Sequence, residues 1–214
     1  MSDIEIEKSD IRGEFCAPGI GNYGGDYSFA GMFFARAALD SSVICTNLNA
    51  ASEQSGKIVL DILRTFGAKI TRGGDSVNVR VNTLCGCEID ISEFPKIAPV
   101  AALLAPFAKG KTHVCGFAGF DRLRSLITEN LKALGIRCEY NESDLWIWPQ
   151  RKFDYTVLNA KNDPYMAMAL ILMSTYINGV TTIRNVDGLF ERYPDFIDIF
   201  QSLGGKCRIC EFSF

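Results

Sequence analysis

Cys207 and Cys210 form a Cys-x-x-Cys pair, the spacing of half a tetrahedral zinc site. No second pair shares that spacing, and in a strand residues three apart point to opposite faces. Cys45, Cys85, Cys87, Cys115 and Cys138 also fall in β-like runs, where a free thiol packs as a small hydrophobe. For the eight cysteines as a set, buried thiols are favoured over a structural metal or a disulfide scaffold. His113 is the only histidine. It alternates in Thr112-His113-Val114 and reads as a surface or barrel-edge residue in preference to a ligand. Asp163-Pro164 reads as a helix start, with Asp as N-cap and Pro in the first turn. Pro194-Asp195 reads as the same device, displaced within its helix start. Trp146 and Trp148 share one strand face and are expected to pack on helices or on another lobe.

The elements that must position these residues repeat. IVLDILRTFGAKI (58–70), LITENLKALGIRC (126–138) and FIDIFQSLGGKCR (196–208) each read as an amphipathic helix, a glycine and a short strand. Their glycines, at 67, 135 and 204, stand about 68 residues apart and suit the left-handed position that ends a helix. Upstream of each lies a helix rich in apolar and small residues: Phe29–Leu39, Ala98–Ala108 and Tyr165–Ile177. After these come the strand-like runs SSVICTNL, GKTHVCGF and GVTTIRNV. Further strands follow each glycine: VNVRV, LWIW and CRICEF, the first two entered through GGD and NES turns. The first helices are apolar almost all round and belong at the centre; the second helices have polar faces. The reading is an α/β (α+β) chain of three βαβαββ-type units with helices inside and small sheets outside. One domain spans 1–214, with repeats at roughly 26–90, 91–150 and 160–214 and an opening strand within 1–22.

Composition narrows the function. A chain of 214 residues that is 48% apolar and 22% charged can bury a core and is not disordered. A net charge of −3, without a Lys/Arg run, gives no case for nucleic acid. MSDIEIEKSD has no apolar core of a signal peptide, and Met166–Ile177 is too short to span a bilayer. A cytoplasmic protein without a membrane partner is expected.

Four segments carry a resemblance: FAGMFFARAAL, FPKIAPVAALLAPFAKGKTHV, NDPYMAMALILMSTYINGVTTIRNV and RYPDFIDIFQSLGG. Together with the order and spacing of GGDYSFAG, NDPYMAMA and YPDFIDIF, they resemble the 3-phosphoshikimate 1-carboxyvinyltransferases (EPSP synthases) from Asp26 onward. UDP-N-acetylglucosamine enolpyruvyl transferase is a weaker match. The resemblance implies one lobe of the enolpyruvyl transferase inside-out α/β barrel. In the family two such lobes close on phosphoenolpyruvate and shikimate 3-phosphate, and no cofactor or metal is implied. DIRGEFCAPGIGN (10–22) resembles the family's opening strand and the start of its Pro-Gly-Ser-Lys-Ser loop, but Ile20, Gly21 and Asn22 stand where Ser-Lys-Ser would follow. The chain is therefore expected to skip the second lobe across a Gly-rich bridge, Gly19–Gly25. The missing lobe or a second copy becomes the expected partner.

Carried over by position, the site is altered. The family's catalytic Asp after Pro95 is Lys96. The Lys-Glu-Ser-Asp-Arg stretch is shortened to GFAGFDRLRS, leaving Asp121 with Arg122, or Arg124 in another register. The Asn-Asp-His-Arg motif reads Asn162-Asp163-Pro164-Tyr165, so Tyr165 replaces an arginine. Glu191, followed by Arg192, replaces a phosphate-facing lysine. Lys96 opposite Glu191 is a potential compensating ion pair. The changes imply loss of turnover; Lys96, Arg122, Arg124 and Arg192 remain as candidate holders of a phosphorylated or carboxylated anion.

Overall fold

The computed structural model describes residues 2–20, 24–153 and 155–211. Its three sheets have four strands each. The first holds β2 (Gly13–Cys16), β3 (Ser42–Thr46), β4 (Lys69–Gly73) and β5 (Ser76–Arg80), in the order β2-β3-β5-β4. The second holds β6 (Glu88–Asp90), β7 (Thr112–Cys115), β8 (Cys138–Tyr140) and β9 (Asp144–Ile147), in the order β6-β7-β9-β8. In both, the first two strands are parallel and the last pair is an antiparallel hairpin. The hairpins turn at Gly74-Asp75 and at 141–143, where the sequence has its turn residues.

The third sheet differs in where its strands come from. It holds β10 (Val157–Asn159), β11 (Val180–Arg184), β12 (Lys206–Glu211) and β1 (Ser2–Glu7), in the order β10-β11-β1-β12. β1 takes the place that β5 and β9 hold in the other sheets, antiparallel to both neighbours. Ile4 and Ile6 enter the core from it, fully buried. The segment 1–22, read above as one opening strand, thus gives two strands in two sheets. Likewise β6, inside the sequence repeat 26–90, pairs with β7 of the next unit. Sheet membership follows hydrogen bonding across the chain, which local periodicity does not encode.

Each parallel strand pair is joined by an inner helix: α1 (Tyr27–Asp40), α3 (Ala98–Leu104, prolonged by a 3-10 turn to Phe107) and α5 (Pro164–Ser174). All three pack on one another at the centre. Tyr27 to Ala38 are buried in α1, as are all residues of α3 and Tyr165 to Ser174 in α5. Such helices have no polar stripe because no side of them meets water. Their small residues permit the close packing: a Cβ at Gly31 would run into Val59 of α2 (Val59–Phe66). The outer helices α2, α4 (Asp121–Ala133) and α7 (Phe196–Ser202) bury one side only, and Gly67, Gly135 and Gly204 follow at φ 100°, 71° and 100°. A short α6 (Asp187–Arg192) precedes α7.

Three expectations are corrected. Asp195 lies at the N-cap of α7 in helical conformation and its side chain caps nothing. Of the two alternatives for Trp146 and Trp148, packing on the helices is excluded: Leu145 and Ile147 take the inward face, while Trp146 stacks on His113 and Trp148 lies beneath Lys111 and Arg137, on the outer face. Of the cysteines only Cys45 is buried; Cys16 and Cys85 are exposed and the others half-buried. Cys87, Cys138 and Cys207 still pack against the core from partly covered positions, whereas Cys16 and Cys115 alternate to the outer face of their strands. Among the described residues, no three His, Cys, Asp or Glu side chains gather as a metal site, and no helix is long and apolar enough to cross a membrane.

Candidate anion-binding clefts

The inner helices begin at one end of the lobe, and their starts differ. At α1, Asp26 Oδ1 accepts from the amides of Ser28 (2.7 Å) and Phe29 (3.2 Å). At α5, Asp163 Oδ1 accepts from Met166 N at 2.8 Å and Pro164 fills the first turn. At α3 a 3-10 turn, Pro95–Ile97, leads in without a side-chain cap. Where each inner helix begins, it faces the start of a neighbouring unit's outer helix, and a cleft opens between them. One, of about 420 Å³, runs between Pro18-Gly19, Asp26 and Arg192–Asp195. A second, of about 490 Å³, runs between Glu53–Gly56 and Phe94, Lys96 and Tyr165. The third, of about 440 Å³, runs between Gly119–Leu123 and Lys161–Pro164. The three clefts follow the repeat around the lobe.

The first two share Ile20, Asp26 and Arg192, so they are one groove with a common wall. Two phenols and a carboxylate build that wall. Tyr193 donates its hydroxyl to Asp26 Oδ2 at 2.8 Å, and the Tyr165 hydroxyl lies 3.4 Å from that of Tyr193. Burial first, then the Asp26 charge, pushes the Tyr193 hydroxyl far above the ordinary tyrosine range, so it stays a donor. Asp26 itself is 4% exposed and fully engaged. Over this wall stand two cations. Lys96 Nζ lies 5.9 Å from the centre of the Tyr165 ring, and the Arg192 guanidinium lies 5.7 Å from that of Tyr193. Neither cation is in an ion pair among the described residues. Glu53 and Asp195 are the acids of the groove's rim. The first amides of α1 are taken by Asp26 and by Gln54 Oε1, so an anion here would meet side-chain cations.

The sequence candidates therefore part into groups. Lys96, Tyr165 and Arg192 converge on the groove. Arg122 and Asp163 line the third cleft, beside Lys161, whose amine is held by Glu129 at 2.6 Å. Asp121 and Arg124 pair with each other at 2.5 Å; Arg124 is buried and also donates to the carbonyl of Glu142. That guanidinium braces the β8–β9 turn and lines none of the three clefts. Glu191 is exposed on α6 and lines none of the three clefts. The potential Lys96–Glu191 pair does not form; Lys96 turns to the Tyr165 ring. Asp26 and Tyr193 were not among the candidates. An Asp directly before an apolar helix was the available signal for the first; nothing local marked the second. In the Gly-rich bridge, Gly19 and Gly25 pair across an antiparallel bridge; Gly21, Asn22 and Tyr23 lie outside the described residues.

Comparison with known proteins agrees with this architecture. The family model described as EPSP synthase (3-phosphoshikimate 1-carboxyvinyltransferase) matches residues 11–200. The 3-phosphoshikimate 1-carboxyvinyltransferase of Methanocorpusculum labreanum is 30% identical over 190 residues, covering 86% of this chain and 45% of that protein. Its counterpart in Methanocaldococcus jannaschii is 30% identical over 192 residues, covering 86% and 44%. Among solved structures, EPSP synthase from Acinetobacter baumannii superposes with a TM-score of 0.77 at 21% identity, over 87% of this chain and 47% of that one. The enolpyruvyl transferase NikO from Streptomyces tendae gives 0.71 at 23% identity, over 88% and 45%. At such identity the superpositions speak for the fold. The chain spans about half the length of the curated relatives it matches.

Proposed function

The chain belongs to the EPSP synthase family, and from that premise we propose that it is an anion-binding lobe of the enolpyruvyl transferase type that does not complete enolpyruvyl transfer by itself. Its ligand is a small phosphorylated or carboxylated anion of the phosphoenolpyruvate or shikimate 3-phosphate class, held in the groove. The observation that carries the reading is the placement of Lys96 and Arg192, neither in an ion pair among the described residues, over the Tyr165–Tyr193–Asp26 wall. Two cations beside the Tyr165 hydroxyl suit a phosphate or carboxylate through charge-assisted hydrogen bonds, the Tyr193 proton being committed to Asp26. The same residues argue against turnover. The reaction requires a carboxyl group for proton transfer and cations gathered on phosphate. Here the position that the resemblance assigns to the acid holds Lys96, and those assigned to two phosphate-facing cations hold Tyr165 and Glu191. Asp26, the buried carboxylate of the groove, is committed to capping α1 and to Tyr193.

A lobe supplied in trans is the partner this reading predicts, whether a second polypeptide or a second copy. Calorimetric titration of the purified chain with phosphoenolpyruvate and with shikimate 3-phosphate tests the ligand. Binding that weakens in Lys96→Gln and in Arg192→Gln is expected; no binding by either compound at millimolar concentration overturns it. Phosphate release from the two compounds by the chain alone would overturn the absence of turnover.

A further inference from the structure

The outer face of the second sheet is unlike those of the other two. Strand pairing sets one outward row of four residues across the middle of each sheet. In the first sheet the row is Glu14, Ile44, Asn78 and Thr71. In the third it is Val157, Thr182, Glu5 and Arg208. In the second it is Glu88, His113, Trp146 and Glu139, while the alternate residues Ile89, Val114, Leu145 and Ile147 are buried beneath. Trp148 stands in the next row, its amide bonded to the carbonyl of Arg137. Both tryptophans of the chain therefore share one outward face, each half-buried.

Charge on this face is sorted along the strands. At one end Lys111 and Arg137 flank Trp148, 5.5 and 4.2 Å from its ring centre. At the other end Asp90 and Asp144 flank Cys115. The acids of the middle row are already held within the sheet, Glu88 by His113 at 3.0 Å and Glu139 by Arg137 at 2.7 Å. Lys111 and Asp90 are in no ion pair among the described residues.

A face with cations at one end and carboxylates at the other is complementary to itself. A two-fold axis lying across the strands lays the basic end of one copy on the acidic end of a second, twice over, with Trp146 near the axis. An axis along the strands would instead set cations on cations and acids on acids. Tryptophan at the centre with charges around it is also the composition of protein interfaces. We propose that two copies of this chain pair through the outer face of the β6-β7-β9-β8 sheet. From strand spacing and rise the face measures roughly 14 Å by 13 Å. Contacts so small belong to weak, transient association. None of these residues lines the three clefts, so the pairing leaves the groove open and does not rest on its ligand.

Sedimentation equilibrium between about 10 µM and about 1 mM should show monomer and dimer in exchange, with less dimer as salt screens the charges. Acrylamide quenching of the tryptophans should fall over the same range, because both lie in the contact. Lys111→Glu/Arg137→Glu should stay monomeric, as should Asp90→Lys/Asp144→Lys, and a mixture of the two should form the heterodimer. If Asp144→Lys unfolds the sheet by releasing His113, Asp90→Lys alone carries the same test. The proposal is overturned if the unaltered chain remains monomeric at the highest concentration. It is equally overturned if the chain associates with unchanged tryptophan quenching, or if the folded charge variants fail to pair when mixed.

Discussion

The hydroxyl of Tyr193 donates to one oxygen of Asp26 while the other oxygen caps α1, so a residue just before α7 and one just before α1 share a single buried carboxylate. The bond ties the third unit to the first at the groove's wall. In Tyr193→Phe, Asp26 keeps its burial and loses its side-chain donor. A buried acceptor left unsatisfied costs about 1–3 kcal/mol. Denaturant unfolding should show that loss with an unchanged m-value; a difference within error of zero would mean that water replaces the phenol.

Asp163 and Asp195 stand in similar Asp–Pro settings, and the structure separates them. The Asp163 side chain accepts from the amide of Met166, whereas the Asp195 side chain accepts nothing in α7. Asp163→Ala is expected to cost about 1 kcal/mol, the usual worth of an N-cap. Asp195→Ala should stay within about 0.5 kcal/mol, as exposed substitutions do. Equal losses from thermal unfolding of both variants would contradict the assignment.

The contrast shows what could be read from sequence. The helix–glycine–strand signature at 67, 135 and 204 was legible because a C-terminal glycine answers to its own φ, a local property. The burial of α1, α3 and α5 followed from their lack of a polar stripe. The place of β1 between β11 and β12 was not legible, since its partners lie far along the chain and its sequence only alternates. The face taken by the tryptophans was not legible for a related reason: one residue of register sends Trp146 to the outer face or the inner, and the helices' position decides which. At the site, Lys96, Tyr165 and Arg192 could be named from sequence, but Arg124 could not be told from a ligand without the carbonyl of Glu142. Asp26 and Tyr193 become a pair only through the closure of the third unit on the first.

Arg36 is 1% exposed within α1 and joins Asp40, Thr175 and the carbonyl of Ser9. Breaking a buried ion pair from one side strands its partners, which costs about 3–5 kcal/mol. Arg36→Ala should approach that figure by denaturant unfolding. Arg36→Met, which fills the space with apolar atoms, should cost less, because Asp40 is partly open to water. If methionine were as damaging as alanine, the charge and not the volume would be the larger part.

His113 gives the second sheet a pH dependence of known sign. Its ring nitrogens lie 3.0 Å from Glu88 Oε2 and 2.7 Å from Asp144 Oδ1, and its ring stacks on Trp146. Burial acts to lower its pKa, but the hydrogen bonds and charges of Asp144 and Glu88 together outweigh it and raise it above the ordinary histidine value. A raised folded-state pKa means that the protonated ring stabilises the fold. That contribution is complete below the unfolded histidine's pKa and is lost as pH rises through the folded one. On the acid side the bond from His113 holds Asp144 below the usual carboxylate range, so the pair weakens again as Asp144 protonates. Unfolding free energy measured from pH 5 to 9 should therefore decline on the alkaline side more steeply in the wild type than in His113→Gln. Parallel curves for the two proteins would show that the imidazole bridges the strands equally well in its neutral form.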